Sequence, residues 1–205
     1  AVSELTPEEK ALENRKRAQD LLNKALAEIS SHDWDHLLKM IEKSVSLSTA
    51  PSVDHYLARA RIHFEHFKIE PAAGLLEELR KCCHDALKLK PDALEPHIWL
   101  SKTALIEGDL KLANECVSHG KDHPDAVELR QQIDSISTSV ATALEMEKRG
   151  VDPISILVVV KRVIDIAPGM LFPRVIKMRA SFTAGNHYSA KQEAHDLLTL
   201  DPNNI

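Results

Sequence analysis

Near its carboxyl end the chain reads Gly185-Asn186-His187-Tyr188-Ser189-Ala190, then Leu197, and closes on Leu200-Asp201-Pro202-Asn203-Asn204. A glycine followed by a capping amide, a small residue soon after, and a proline stop punctuate a pair of helices joined by a tight turn. The same turn stands earlier as Gly108-Asp109 with Ala113, and Pro168 closes a segment 34 residues before Pro202. Shifting the chain by 41 residues and then by 77 lays Leu57 on Ile98 and Val175, Arg61 on Lys102 and Arg179, and Phe64 on Leu105 and Phe182. Matched side chains at matched phase mark stacked copies of one helix hairpin.

Working outward, five such units are expected, at 7–50, 53–92, 94–123, 125–168 and 170–204. Thr6-Pro7-Glu8-Glu9 and Asp152-Pro153 are helix starts, a cap followed by a proline whose missing N–H would have no partner there. Asp33-Trp34 fits the turn of the first unit. The second unit is lengthened through its second helix, 71–89, whose Leu75, Leu76, Leu79, Cys83 and Ala86 form one stripe at helical spacing. The fourth unit opens with an overlong helix, about 125–149, expected to bridge units one to three (7–123) and units four and five (125–204). Ile156-Leu157-Val158-Val159-Val160 has the propensity of a strand, but the cap before it and the phase of Ile156, Val160, Val163 and Ile164 predict a buried helix.

Composition agrees. Of 205 residues 43% are hydrophobic, enough for a core, while only 4% are aromatic and glycines number 6, which disfavours a strand-rich sandwich. A net charge of −5 argues against wrapping nucleic acid. The longest apolar run, Ile154–Val160, is far short of the ~20 residues that span a bilayer. Cys82, Cys83 and Cys116 are too few for a disulfide framework, and the polar amino end has no signal-peptide core. Together these point to a cytoplasmic protein, with the nucleus as the alternative, and no membrane partner.

The Gly-Asp or Gly-Asn turn, the small residue after it and the Asp-Pro-Asn-Asn exit resemble the tetratricopeptide repeat. The resemblance implies an all-α, right-handed α-solenoid of about five helix–turn–helix units that binds proteins. More narrowly, three units, a long helix and further units resemble the repeat region of J-domain co-chaperones. Relatives of this kind read acidic tails of Hsp70 or Hsp90 with a clamp of Lys and Asn side chains. The clamp places fall here on Leu22, Leu26, Ala58, Glu95 and Trp99, none suited to hold a carboxylate, so clamp-type binding is not expected.

The candidate protein-binding residues lie on first helices: Leu57, Arg61 and Phe64; Ile98, Trp99, Lys102 and Leu105; and Arg179, flanked by Val175 and Phe182. An apolar–basic–apolar face would suit a partner segment with acidic residues between apolar anchors. The competing reading places the apolar members in the core with the cations at its edge. His123-Pro124-Asp125 matches the J-domain tripeptide but follows no basic helix, and reads as a repeat exit. His63, His66 and Cys82-Cys83-His84 lack ligand spacing for a metal, and no phosphate loop, nucleophile elbow or acid–base pair appears. The expected function is therefore a non-enzymatic, cofactor-free interaction scaffold. A co-chaperone-type adaptor for an Hsp70/Hsp90 or client segment is the first reading, and a structural subunit of a stable complex the second.

Overall fold

A computed structural model describes residues 6–48, 50–120 and 122–202. Among them are ten α-helices and no strand: α1 (Pro7–Ala27), α2 (Trp34–Leu47), α3 (Val53–Ile69), α4 (Ala73–Leu89), α5 (Leu94–Glu107), α6 (Leu110–Ser118), α7 (Pro124–Lys148), α8 (Pro153–Ile166), α9 (Leu171–Thr183) and α10 (His187–Leu200). They pair as five antiparallel hairpins, the all-α repeat class expected. The exit residues Asn203 and Asn204 lie outside the described residues. Two compact units divide the chain between Trp99 and Leu100, within α5.

The starts form as their residues dictate. Thr6 accepts the Glu9 N–H at 3.2 Å while Glu9 Oε2 accepts the Thr6 N–H at 2.7 Å, a reciprocal cap on α1. Asp33, Asp109, Asp152 and Asn186 each cap the second helix of a hairpin through a side-chain oxygen. The residue just before three of these caps is left-handed: Gly108 at φ 84°, Gly185 at 79°, and His32 at 58°, a position that sequence reading did not single out.

In the first unit α1, α2 and α3 close over Leu22, Ala25, Leu37, Met40, Ile41, Ala58 and Ile62. α3 packs on α2 and α1 and then along α4. The lengthening of this hairpin is shared, for α3 and α4 each have 17 residues. A longer α4 buries Leu76, Leu79, Cys83 and Ala86 only if its partner is equally long.

In the second unit α7 packs on α6, and its last turns meet α8 and α9 through Ala143, Leu144 and Met146. α8 is a helix, as its cap implied, with Ile156, Val160 and Val163 buried. The helix is buried on that face alone, since Ile154 and Val158 are 64% and 51% exposed. Four-residue spacing puts these two on the face opposite the core.

One contact breaks the neighbour-to-neighbour pattern. The turn after α5 meets the turn after α8, where the Gly169 N–H donates to the Ile106 carbonyl at 2.8 Å. The chains approach so closely that a Cβ on Gly169 would lie 2.5 Å from the Glu107 carbonyl oxygen, and one on Gly108 would lie 2.6 Å from Met170 Cα. Two glycines 61 residues apart thus form a main-chain clasp.

Candidate protein-binding site

The second unit carries a groove of about 640 Å³ between α9 and α10. α9 contributes Met178 and Phe182 as apolar walls, and Ala190 of α10 forms the floor. Ala190 is buried, 6% exposed. Arg179, His187 and Lys191 line its rim. Arg179 reaches back to Glu147 of α7 in a two-pronged ion pair, Nε to Oε1 at 2.8 Å and Nη2 to Oε2 at 2.7 Å. Lys191 makes no ion pair among the described residues, so with Arg179 matched by Glu147 the rim keeps one positive charge. Phe182 is 64% exposed and its ring leans on His187 at 5.0 Å, leaving the other face open.

On the same two helices Glu193 of α10, a carboxylate with its side chain 3% exposed, is held between Arg174 and Lys177 of α9. Arg174 also donates to the Pro168 carbonyl at 2.8 Å. The two ion pairs tie α10 to α9.

The sequence candidates divide between surface and interior. Arg179 and Phe182 face the groove, and Val175 is half-buried on the same helix. Arg61 is exposed, Leu57 is buried, and Phe64 is half-buried edge-on to Trp99 at 5.1 Å with Lys68 over its ring. Ile98 and Leu105 are 3% and 4% exposed, with Lys102 half-buried beside them. Sequence reading did not find Met178, His187, Ala190 and Lys191, because the groove joins two helices and no single stripe carries it.

His123-Pro124-Asp125 is a helix start: His123 Nδ1 accepts the Asp125 N–H at 3.3 Å and Pro124 opens α7. In the first unit Ser44, Ser52 and His55 meet beside a small cavity that Arg15 and Gln19 also line. The directions of their hydrogen bonds settle their chemistry. His55 Nδ1 accepts the Ser52 N–H at 3.1 Å, so the ring proton sits on Nε2 and donates to Ser44 Oγ at 2.9 Å. The Ser44 hydroxyl donates to the Ala18 carbonyl oxygen at 2.6 Å. A serine that receives from histidine and donates to main chain is not an activated nucleophile. Burial depresses the His55 pKa below its ordinary value, in keeping with a neutral ring. Burial likewise pushes the Cys82 thiol up to about 11 and raises Cys116, which keeps both thiols protonated.

No family model and no curated protein matches this chain. Among solved structures it is similar to YrrB, described as a tetratricopeptide-repeat protein with an unusual peptide-binding site, at 16% identity and a TM-score of 0.43 over 95% of this chain and 92% of that one. It is similar to MamA at 14% identity, TM-score 0.39, over 93% of each chain. A third similar structure is PilF of Pseudomonas aeruginosa, at 12% identity and TM-score 0.32, over 93% of this chain and 95% of that one. The fold rests on the helices themselves and their neighbour-by-neighbour packing.

Proposed function

We propose that this chain is a non-enzymatic protein-interaction scaffold whose α9–α10 groove holds a partner segment that carries an apolar anchor beside a carboxylate. The observation that carries the reading is the groove itself, an apolar slot with the unpaired cation of Lys191 at its rim. Arg61, exposed, and Phe64, half-buried, stand on α3 in the first unit and would extend the same preference. As a finer reading we take a co-chaperone-type adaptor that binds a chaperone or client segment without a carboxylate clamp. It is supported by the resemblance of the repeats and by Leu22, Ala58 and Trp99 being buried where a clamp would need donors.

Selection of short random peptides displayed on phage against the immobilised protein tests the scaffold reading. Enriched peptides should pair an aliphatic or aromatic residue with Asp or Glu, and Phe182→Asp should release them. Enrichment of peptides with no such pairing, or retention by Phe182→Asp, refutes it. For the finer reading, an Hsp70 or Hsp90 carboxyl-terminal peptide that pairs an apolar residue with Asp or Glu should bind and be released by Phe182→Asp, and amidating its terminal carboxyl alone should leave its affinity unchanged; failure of the peptide to bind refutes the adaptor reading.

A further inference from the structure

Four second helices open on a side-chain cap, at Asp33, Asp109, Asp152 and Asn186. They share one phase, since the fourth residue after the cap is buried in each: Leu37, Ala113, Ile156 and Ala190. The second and sixth residues lie on the face turned away from the core. They are Asp35 and Lys39 in α2, Lys111 and Glu115 in α6, and Tyr188 and Gln192 in α10, all exposed. In α8 the same two places hold Ile154 and Val158, 64% and 51% exposed. Three helices thus solvate this face with polar or charged groups, and one carries a pair of branched aliphatics a turn apart.

The stacking of hairpins does not cover that pair. α6 packs on α7, and α9 packs on α7 and α8, and with both in place Ile154 and Val158 stay exposed. Packing within the array uses Ile156, Val160 and Val163 on the opposite face of α8. One turn beyond Val158 stand Lys161 and Arg162, exposed and without an ion pair among the described residues. Asp165 follows, so this end of the strip carries two bases against one acid. At the other end the Asp152 carboxylate is engaged by the Ser155 N–H at 3.2 Å. Aliphatics with cations to one side call for aliphatics with carboxylates to one side. A stable dimer needs on the order of 800 Å² on each partner, far more than two side chains expose, which favours a short segment of a partner over a second copy.

An unpartnered helix face packs a second helix ridge into groove. Antiparallel docking on α8 places the partner's carboxylates in its own first turn, where its helix dipole also favours them. We propose that the outer face of α8 is a docking strip for an amphipathic helix of a partner protein, laid antiparallel, with two aliphatic residues four apart on Val158 and Ile154 and a carboxylate one turn before them against Lys161 and Arg162. This surface goes beyond the α9–α10 groove and does not depend on it.

The test is an NMR titration of the isotope-labelled full chain, which registers weak binding, with three alanine-based helical peptides. The first carries Glu in its first turn and two Leu four apart thereafter. The second has Lys for Glu, and the third keeps the composition of the first with the order reversed, so that Glu follows the leucines. The first should shift the amides of α8 and bind on the order of fivefold or more tighter than either of the others. Val158→Asp should abolish this binding, Lys161→Glu with Arg162→Glu should invert the Glu–Lys preference, and Phe182→Asp should leave it unchanged. All these positions are exposed, and unchanged circular dichroism and Tm show that each variant is folded. Equal binding of the reversed peptide overturns the antiparallel register, and indifference to the charge reversal overturns the role of Lys161 and Arg162. Shifts confined to α9 and α10, or no shifts at all, overturn the strip while leaving the groove reading to its own test. Self-association of the free chain, seen by light scattering and lost in Val158→Asp, assigns the strip to a second copy and also overturns the proposal.

Discussion

Gly169→Ala tests the main-chain clasp directly. The added Cβ would sit 2.5 Å from the Glu107 carbonyl oxygen, 2.7 Å from its carbon and 2.8 Å from its Cα, against an ordinary contact of about 3.4 Å or more. Both neighbours are backbone, so no side chain can swing away and the two turns must part by roughly an ångström. Overpacking of this kind costs about 1–3 kcal/mol. Parting also stretches the Gly169 to Ile106 hydrogen bond, now 2.8 Å, for a further ~1 kcal/mol. The sum, about 2–4 kcal/mol, corresponds to a Tm lowered by roughly 5–15 °C in a chain of this length. Urea unfolding followed by circular dichroism measures it, and native-state hydrogen exchange should show the Gly169 amide losing protection. The control is Gly74→Ala, where a Cβ meets nothing within 4 Å and the first turn of α4 should gain a few tenths of a kcal/mol. If Gly169→Ala unfolds within about 0.5 kcal/mol of the wild type, or Gly74→Ala costs as much, the clasp does not hold these turns together.

Three further outcomes follow from buried polar groups. His55 has a folded pKa below the ordinary 6.5, so its unfolded form takes up protons first. Its contribution is therefore complete above pH 6.5 and lost as pH falls through the folded value. Stability measured from pH 7.5 to pH 5 should decline, and the decline should flatten in His55→Gln; a slope unchanged by that substitution contradicts the assignment. Glu193→Ala leaves Arg174 and Lys177 facing each other partly buried, and should cost about 3 kcal/mol in urea unfolding. A loss below 1 kcal/mol would mean that the triad does not brace α10. Cys82, Cys83 and Cys116 are buried, with the Cys82 pKa near 11, so a thiol-reactive chromophore at pH 8 should label none until the chain unfolds.

What was legible in the chain was local. Gly108-Asp109 and Gly185-Asn186 announce their turns because one residue must be left-handed and the next must cap, and both needs are met by residue type alone. His32 does the same work at φ 58° without announcing it, since a histidine can take that conformation but does not signal it. The string from Ile154 to Val160 is apolar on every side, so its composition could not reveal that Ile154 and Val158 would stay exposed. Spacing put Val175, Arg179 and Phe182 on one face of α9, but equally put Ile98 and Leu105 on one face of α5, and these two are buried.

Hairpin number, helix phase and capping were determined by the sequence itself, because hydrogen bonding within a turn and periodic burial along a helix involve residues close in the chain. The groove, the Glu193 triad, the Gly169 clasp and the protonation of His55 were decided only by tertiary structure. Each depends on groups brought together from separate helices or turns, as Met178 meets Ala190 or Gly169 meets Glu107, and their distances are set by packing that no local pattern encodes.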